Sequence, residues 1–395
     1  MGICKQINMR WKLYITNFLL GAGLYSSVEV LYLKDCNLSP YTIALLVLFI
    51  PVCTAVLEIP TGIIGDYFGR ITIFRLTFCS FLIGILLVSV AGNLPMFFLG
   101  YFFEALGYSF YSGNSESLLY ESCKAEGTDI NKAMSSFYST LTAGYVFSGV
   151  LVFVLTNITR SPILKVAILG TIVLRFVAVL ITMSTLKGKK NERTANPRKI
   201  IKDSLSLILN NRMVFLICLY DALGRLQYFL PVIYQPLLLK LGMRVEYIAL
   251  IYSLSQLFQA VSQKVSVRLI KKYGYTKILL IAPIVQFTAL AGLLTSNSVY
   301  MIIGIVVIFS GISIKGQCTS LIKHSIATDE IRATYLSIMS LLTLIINSAY
   351  LNGIGLINDS DTVVATVILG SVLLIGSELA VLGICSNIKK IGVTV

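Results

Sequence analysis

Runs of about 20 apolar residues recur along the whole chain, separated by short polar breaks. Each run is long enough to cross a hydrocarbon layer of about 30 Å at about 1.5 Å per residue. A barrel strand would alternate polar and apolar positions over about ten residues, and these runs do not. The pattern therefore predicts helices over 13–34, 40–62, 72–92, 95–118, 134–157, 162–186, 213–238, 245–269, 278–296, 299–322, 332–357 and 362–386. The expected fold class is an all-α integral membrane protein, with twelve transmembrane helices in two six-helix bundles. Breaks as short as "KDCNLS" after the first span and "GNL" after the third force antiparallel neighbours. The longest polar stretch, "KGKKNERTANPRKIIKDSLSLILNNR", covers 187–212 and has six spans on either side. The expected organisation is an N-terminal bundle over 1–186, a cytoplasmic linker over 187–212 and a C-terminal bundle over 213–395. From Pro197 onward the linker has the pattern of an amphipathic helix lying on the membrane surface.

Composition agrees. The chain is 56% hydrophobic and only 13% charged, about half the charge of a soluble domain. The net charge of +14 raises nucleic acid as a partner, but the placement of the charges removes it. With a cytoplasmic N-terminus, the cytoplasmic side takes Lys5, Arg10, Lys12, Arg70, Arg75, Lys124 and Lys132. It also takes the cluster from Lys187 to Arg212, then Arg268, Lys271, Lys272, Lys277, Lys323, Arg332, Lys389 and Lys390, in all 23 of the 32 basic residues. The other side receives Lys34, Arg160, Lys165, Lys240 and Arg244. So strong a bias sets both termini in the cytoplasm, with some attraction to anionic lipid heads. The start, "MGICKQINMRWK", lacks a small-residue cleavage site and reads as part of an uncleaved first helix, and Gln6 does not fit myristoylation at Gly2.

Enzyme chemistry finds no foothold. The eight cysteines are scattered without a CxxC pair, and they read as small apolar filler. The single histidine, His324, excludes HExxH and di-histidine metal sites, and no GxSxG or Walker loop is present. No cofactor and no metal is expected, and His324 is expected at the surface.

The charges inside the spans are the candidates for function, because each costs roughly 2.5–3.5 kcal/mol at mid-bilayer even on lenient scales. Glu29 lies in the outer part of span one, Glu104 in span four, Arg175 in span six and Asp221 and Arg225 in span seven. Glu29, Glu104 and Asp221 are the proton-coupling candidates. A carboxyl in low dielectric can take up and release a proton, but it can equally be a fixed partner to Arg175 or Arg225. Asp221 and Arg225 share a helix face at i, i+4, either as a self-neutralising pair or as a switchable one. The substrate-cavity candidates are Tyr108, one turn from Glu104, with Arg175, Arg225, Gln227 and Tyr228. Such an aromatic and acidic lining suits an amphiphilic or cationic organic solute. Lys315 and Glu378 are read as a bridge between spans ten and twelve, and Lys264 as a residue that snorkels to the cytoplasmic edge.

One polar break stands out: "EIPTGIIGDYFGR", residues 58–70, where span two turns into span three. Gly62, Asp66, Gly69 and Arg70 have the spacing G-x-x-x-D-x-x-G-R. Arg70 can pair with a carboxylate at the cytoplasmic end of span four, where Glu116 and Glu121 stand nearest. The loop, the six-plus-six layout and the basic central stretch resemble the major facilitator superfamily and its motif A. "EIPTG" and "EALGYSFYSGNSESLLYES" (104–122) are similar to an exporter-like branch. The resemblance implies alternating access by two bundles, with Gly62, Asp66, Gly69, Arg70 and Glu116 as a conformational latch. The second half should hold a decayed copy of the loop, and "KKYGYTK" fits it: Lys271 stands where Asp66 does and Gly274 where Gly69 does. Two places differ from drug antiporters of the family: Phe103 replaces an arginine in span four, and span five carries Gly144 and Gly149 without a Gly-Pro pair.

The expectation is a monomeric carrier in the cytoplasmic membrane, no enzyme, whose partners are a small-molecule solute, protons and lipid. Its expected activity is proton-coupled efflux of a drug, antimicrobial or metabolite. Proton-coupled uptake of a nutrient on the same fold and a non-transporting receptor are the alternatives.

Overall fold

The structure is a computed structural model that describes residues 2–326 apart from 113, 160–161, 185–205, 209, 225–229 and 296, together with positions 335, 338–339, 342–343, 372, 375–376 and 380–381. Most of spans eleven and twelve, most of the linker, and Arg225, Gln227, Tyr228 and Glu378 therefore lie outside the described residues. Every regular element described is a helix. Among the described residues, six helices are long and apolar enough to cross a membrane: Pro40–Glu58, Arg70–Ser89, Lys132–Ile158, Ile163–Met183, Val245–Leu293 and Ser298–Ser320.

Span one is the first departure from expectation. In place of one helix over 13–34 it forms α1 (Gly2–Gly21), a 3₁₀ turn at Leu24–Ser27 and α2 (Glu29–Asp35). The sequence "GAG" at 21–23 supplies the weak point, since glycine gives up more chain entropy in a helix than any other residue. Then come α3 (Pro40–Phe68), α4 (Arg70–Ser89) and α5 (Leu94–Tyr111). The expected span four ends at Tyr111, so Glu116 and Glu121 belong to a separate helix, α6 (Asn114–Glu126). Next are α7 (Ile130–Thr159), α8 (Ile163–Met183), α9 (Arg212–Gly224), α10 (Leu230–Lys240), α11 (Val245–Leu293) and α12 (Ser298–Ile326). At 49 residues, α11 would run roughly 70 Å as one helix, more than twice a bilayer core. It is two spans, broken at Gly274.

That break answers the proposed repeat. Gly69 separates α3 from α4 with φ 85° and ψ 147°, and Gly274 has φ 77° and ψ 161°. Both lie in a region of backbone space that side chains other than hydrogen avoid. The two halves thus turn between their second and third spans with one backbone conformation.

By contacts the chain forms two compact units. The first is Met1–Tyr32, Phe49–Thr194 and Arg244–Ser253, and the second is Leu33–Leu48, Ala195–Met243 and Leu254–Val395. In the first unit, α4 lies against α5 and α1 against α7. A column of Phe74, Phe78 and Phe81 stacks edge to face along α4, with centroids 5.4 and 6.1 Å apart. The crossing of α1 and α7 depends on Gly144: a Cβ there would lie 2.3 Å from Phe18 O and 2.7 Å from Ala22 N. Five residues on, Gly149 admits the backbone of Ala249, with only 2.0 Å from a Cβ to Ala249 O. Span five therefore uses its two glycines for two different neighbours. Gly144→Val is expected to lower the melting temperature in detergent micelles, as overpacking costs roughly 1–3 kcal/mol or more. Gly92→Val, with nothing within 4 Å of its Cβ, should leave it unchanged.

In the second unit the core gathers on α9, both arms of α11 and α12, around Ile217, Tyr220, Leu279 and Cys318. Tyr220 spends its hydroxyl on Leu279 O at 2.9 Å.

Candidate functional site

The first unit holds one buried carboxylate, Glu104, and one half-buried, Glu29, and they are held in different ways. Helix α5 is started by Asn93, whose side chain accepts from Met96 N at 3.1 Å, with Pro95 in the first turn. Tyr101, Glu104 and Tyr108 follow at spacings of three and four and share one face. Glu104 is 7% exposed and forms a two-pronged ion pair with Arg175 of α8, whose Nη2–Oε2 contact is 3.1 Å. Arg175 Nη1 also donates to Phe81 O on α4 at 2.7 Å, and its guanidinium lies 5.5 Å from the Phe81 ring centre. Gly84 leaves the room, because a Cβ there would come within 3.0 Å of Glu104 Oε1. Tyr108 completes the cluster edge-on to Phe81, at 4.8 Å. Two charges out of water need such geometry: both guanidinium prongs are used on one carboxylate, and the pair ties α4, α5 and α8 together.

Glu29 has no such cation. It is the first residue of α2, just past the break in span one, and its Oε1 accepts from the Tyr101 hydroxyl at 2.5 Å. The Tyr101 hydroxyl lies 3.1 Å from that of Tyr25. Among the described residues Glu29 forms no ion pair. Tyr101 is 1% and Tyr25 7% exposed while Glu29 is half-buried, so on its inner side the carboxyl meets phenols in place of a cation. The sequence could not separate the two acids. The structure does, giving Arg175 to Glu104 and a phenol to Glu29.

In the second unit Asp221 is 3% exposed and pairs with Lys323 of α12, which is 7% exposed. Sequence reasoning placed Lys323 among the basic residues of the cytoplasmic side and looked to Arg225 for the partner. In place of facing water, the Lys323 side chain turns into the core to meet Asp221. Lys315 is 2% exposed, donates to Tyr220 O at 2.8 Å and lies 3.9 Å from the Tyr220 ring centre. Carbonyl and ring together accept an ammonium that has left water. Lys264 is exposed.

At the turn between α3 and α4, Arg70 pairs with Glu121 of α6 at 2.9 Å, and Asn114 Nδ2 donates to Arg70 O at 3.0 Å. Glu116, named for the latch, accepts from Tyr138 of α7 instead and is not the partner of Arg70. The end of α5 at Tyr111 is the reason: Asn114 starts a new helix whose faces do not continue those of α5. Gly62 and Asp66 lie in the last turns of α3, and the Asp66 side chain lies outside the described atoms.

Sequence reasoning missed three residues in these networks. Asn17 is 1% exposed and fully used: its Nδ2 donates to Phe137 O at 2.6 Å and its Oδ1 accepts from Tyr111 at 2.5 Å. A lone amide in "YITNFLLG" was the available signal. Tyr25 and Thr171 left none, since hydroxyls are common in such runs.

The sequence profile described as Major Facilitator Superfamily matches residues 13–349, most of the chain. The chain belongs to the major facilitator superfamily. Solved structures agree on the fold of this major facilitator protein. The nucleoside transporter NupG superposes with a TM-score of 0.77 at 13% identity, covering 98% of this chain and 99% of that one. A D-xylose-proton symporter gives 0.72 at 15%, covering 96% of each chain. The POT family transporter PepTSo gives 0.75 at 11%, covering 98% of each. Among curated proteins no sequence matches. Membership in the superfamily makes this chain a multi-pass membrane protein and a secondary transporter of small solutes, not an enzyme.

Proposed function

We propose that this major facilitator protein couples inward proton flow to export of a small organic solute, with Glu29 as the proton carrier. The observation that carries the reading is the contrast between the two acids of the first unit. Glu104 is neutralised by a bidentate arginine, so adding a proton to it would strand a buried guanidinium. Glu29 can accept a proton without orphaning a cation, and the phenol of Tyr101 serves either protonation state. A change of charge there gives the two facings of the carrier the difference in free energy that any switch requires.

Export as the direction rests on the exporter-like stretches at 58–62 and 104–122. The carrier acts as a monomer in the cytoplasmic membrane, both termini inside, on an amphiphilic or cationic drug, antimicrobial or metabolite. Everted vesicles test the direction. Acidifying the lumen drives solute inward for an exporter, whereas an uptake symporter does not respond that way, and no flux with any solute marks a receptor. A deletion strain, screened against toxic compounds and limiting nutrients in parallel, supplies the solute. At the loop, Asp66→Asn is expected to slow turnover while binding stays close to wild type, read by flux and equilibrium binding in the same vesicles. Loss of binding alone would remove Asp66 from the latch.

A further inference from the structure

Between α1 and α2 the backbone of span one leaves the helix, and a side chain of another span catches one of the released groups. Tyr25 N–H donates to Thr171 Oγ1 at 2.8 Å, and the same hydroxyl donates to Ala167 O at 2.8 Å. Thr171 lies on α8 and is 1% exposed. The chain passes it closely: a Cβ on Gly23 would lie 3.3 Å from Thr171 Cγ2. Tyr25 is therefore fixed at both ends, its backbone to span six and its phenol to Tyr101 of span four. Tyr101 then donates to Glu29. A continuous series of contacts runs from Thr171 through Tyr25 and Tyr101 to the carboxyl.

We propose that Thr171 is a positioning residue for the Glu29 carboxyl, holding span one unwound at 22–28 so that Tyr25 and Tyr101 stand where the acid needs them. The inference rests on the reading of Glu29 as proton carrier and adds the residue that sets its geometry. Unmet backbone groups are not tolerated in hydrocarbon, so a break in a span needs an outside partner, and here it is one hydroxyl. The titratable and charged groups around Glu29 are Tyr25 and Tyr101, with Glu104 and Arg175 acting through their fields. Of these, α8 supplies only Arg175, which is already committed to Glu104. Thr171 acts on the acid through Tyr25 and Tyr101.

Infrared difference spectroscopy on the full chain in lipid bilayers, titrated with acid, tests this without knowledge of the solute. The carbonyl stretch of a protonated carboxyl reports its hydrogen bond, and Glu29→Gln identifies the band by removing it. Tyr101→Phe is expected to move the band to higher wavenumber. Thr171→Val, equal in shape but without the hydroxyl, is expected to move it in the same direction, and Thr171→Ser to leave it in place. Thr171→Ala is the second hydroxyl-free variant, should valine not fold. A purely structural role for Thr171 lowers folded yield and leaves the band where it was. An unmoved band in the hydroxyl-free variants, with Tyr101→Phe shifted, overturns the positioning role. An unmoved band in Tyr101→Phe overturns it as well. If Glu29→Gln removes no band at any pH, the proton-carrier reading itself falls, whatever Thr171 does.

Discussion

Glu29→Gln is expected to abolish solute-driven proton movement in proteoliposomes while solute exchange down its own gradient continues. The substitution keeps the shape of the side chain, and its amide oxygen can still accept from Tyr101. What it removes is the ability to change charge. A carrier locked in the neutral form can still rock, but the proton gradient no longer biases which side it faces. The dependence of flux on pH should flatten with it. Continued proton movement with undiminished stoichiometry in this variant would put the coupling elsewhere, with Asp221 the next residue to test. Glu104→Gln is a poor substitute for this experiment, because its first effect is on folding.

That effect is the second large one. Arg175→Leu leaves the Glu104 carboxylate buried without its cation. Breaking such a pair from one side costs about 3–5 kcal/mol, since the remaining charge keeps its desolvation penalty and loses its partner. A membrane domain of ordinary stability would lose most of its folded yield. The double variant Glu104→Gln/Arg175→Leu removes both charges and should recover most of it. Melting curves of the four proteins in detergent give the coupling as a double-mutant cycle. If the two single effects simply add in the double, the pair is not the clamp on α4, α5 and α8 described above.

The helical class was legible from run length, because hydrocarbon leaves no other solution for a chain with these apolar stretches. The long helices at Arg70–Ser89 and Ile163–Met183 match their expected spans to within a few residues. Where the reading failed, the cause was a contact from another element. Span one reads as continuous because hydropathy does not register a break that a threonine on α8 supports. Arg175 was named as a possible partner for either acid, and only packing through Gly84 and Phe81 decides that Glu104 takes it. Lys323 stands one residue past the expected end of span ten at 322, but the helix runs on to Ile326, and a lysine stem is long enough to turn inward to Asp221. Glu116 was chosen for the latch over Glu121, and it is Glu121 that α6 presents to Arg70.

The matched torsions at Gly69 and Gly274 separate what the two turns share from what they do not. Around the first turn stand Asp66 and Arg70, while in the second the place of the aspartate is held by a lysine, so the sign of the charge has reversed. The bend has not. A charge can be exchanged for another wherever water or a new neighbour will accept it, whereas a corner with positive φ and ψ of about 150° is open essentially to glycine alone. Between the two turns of this chain the glycine corner is thus the trait that tolerates no exchange, and the charge beside it the trait that does.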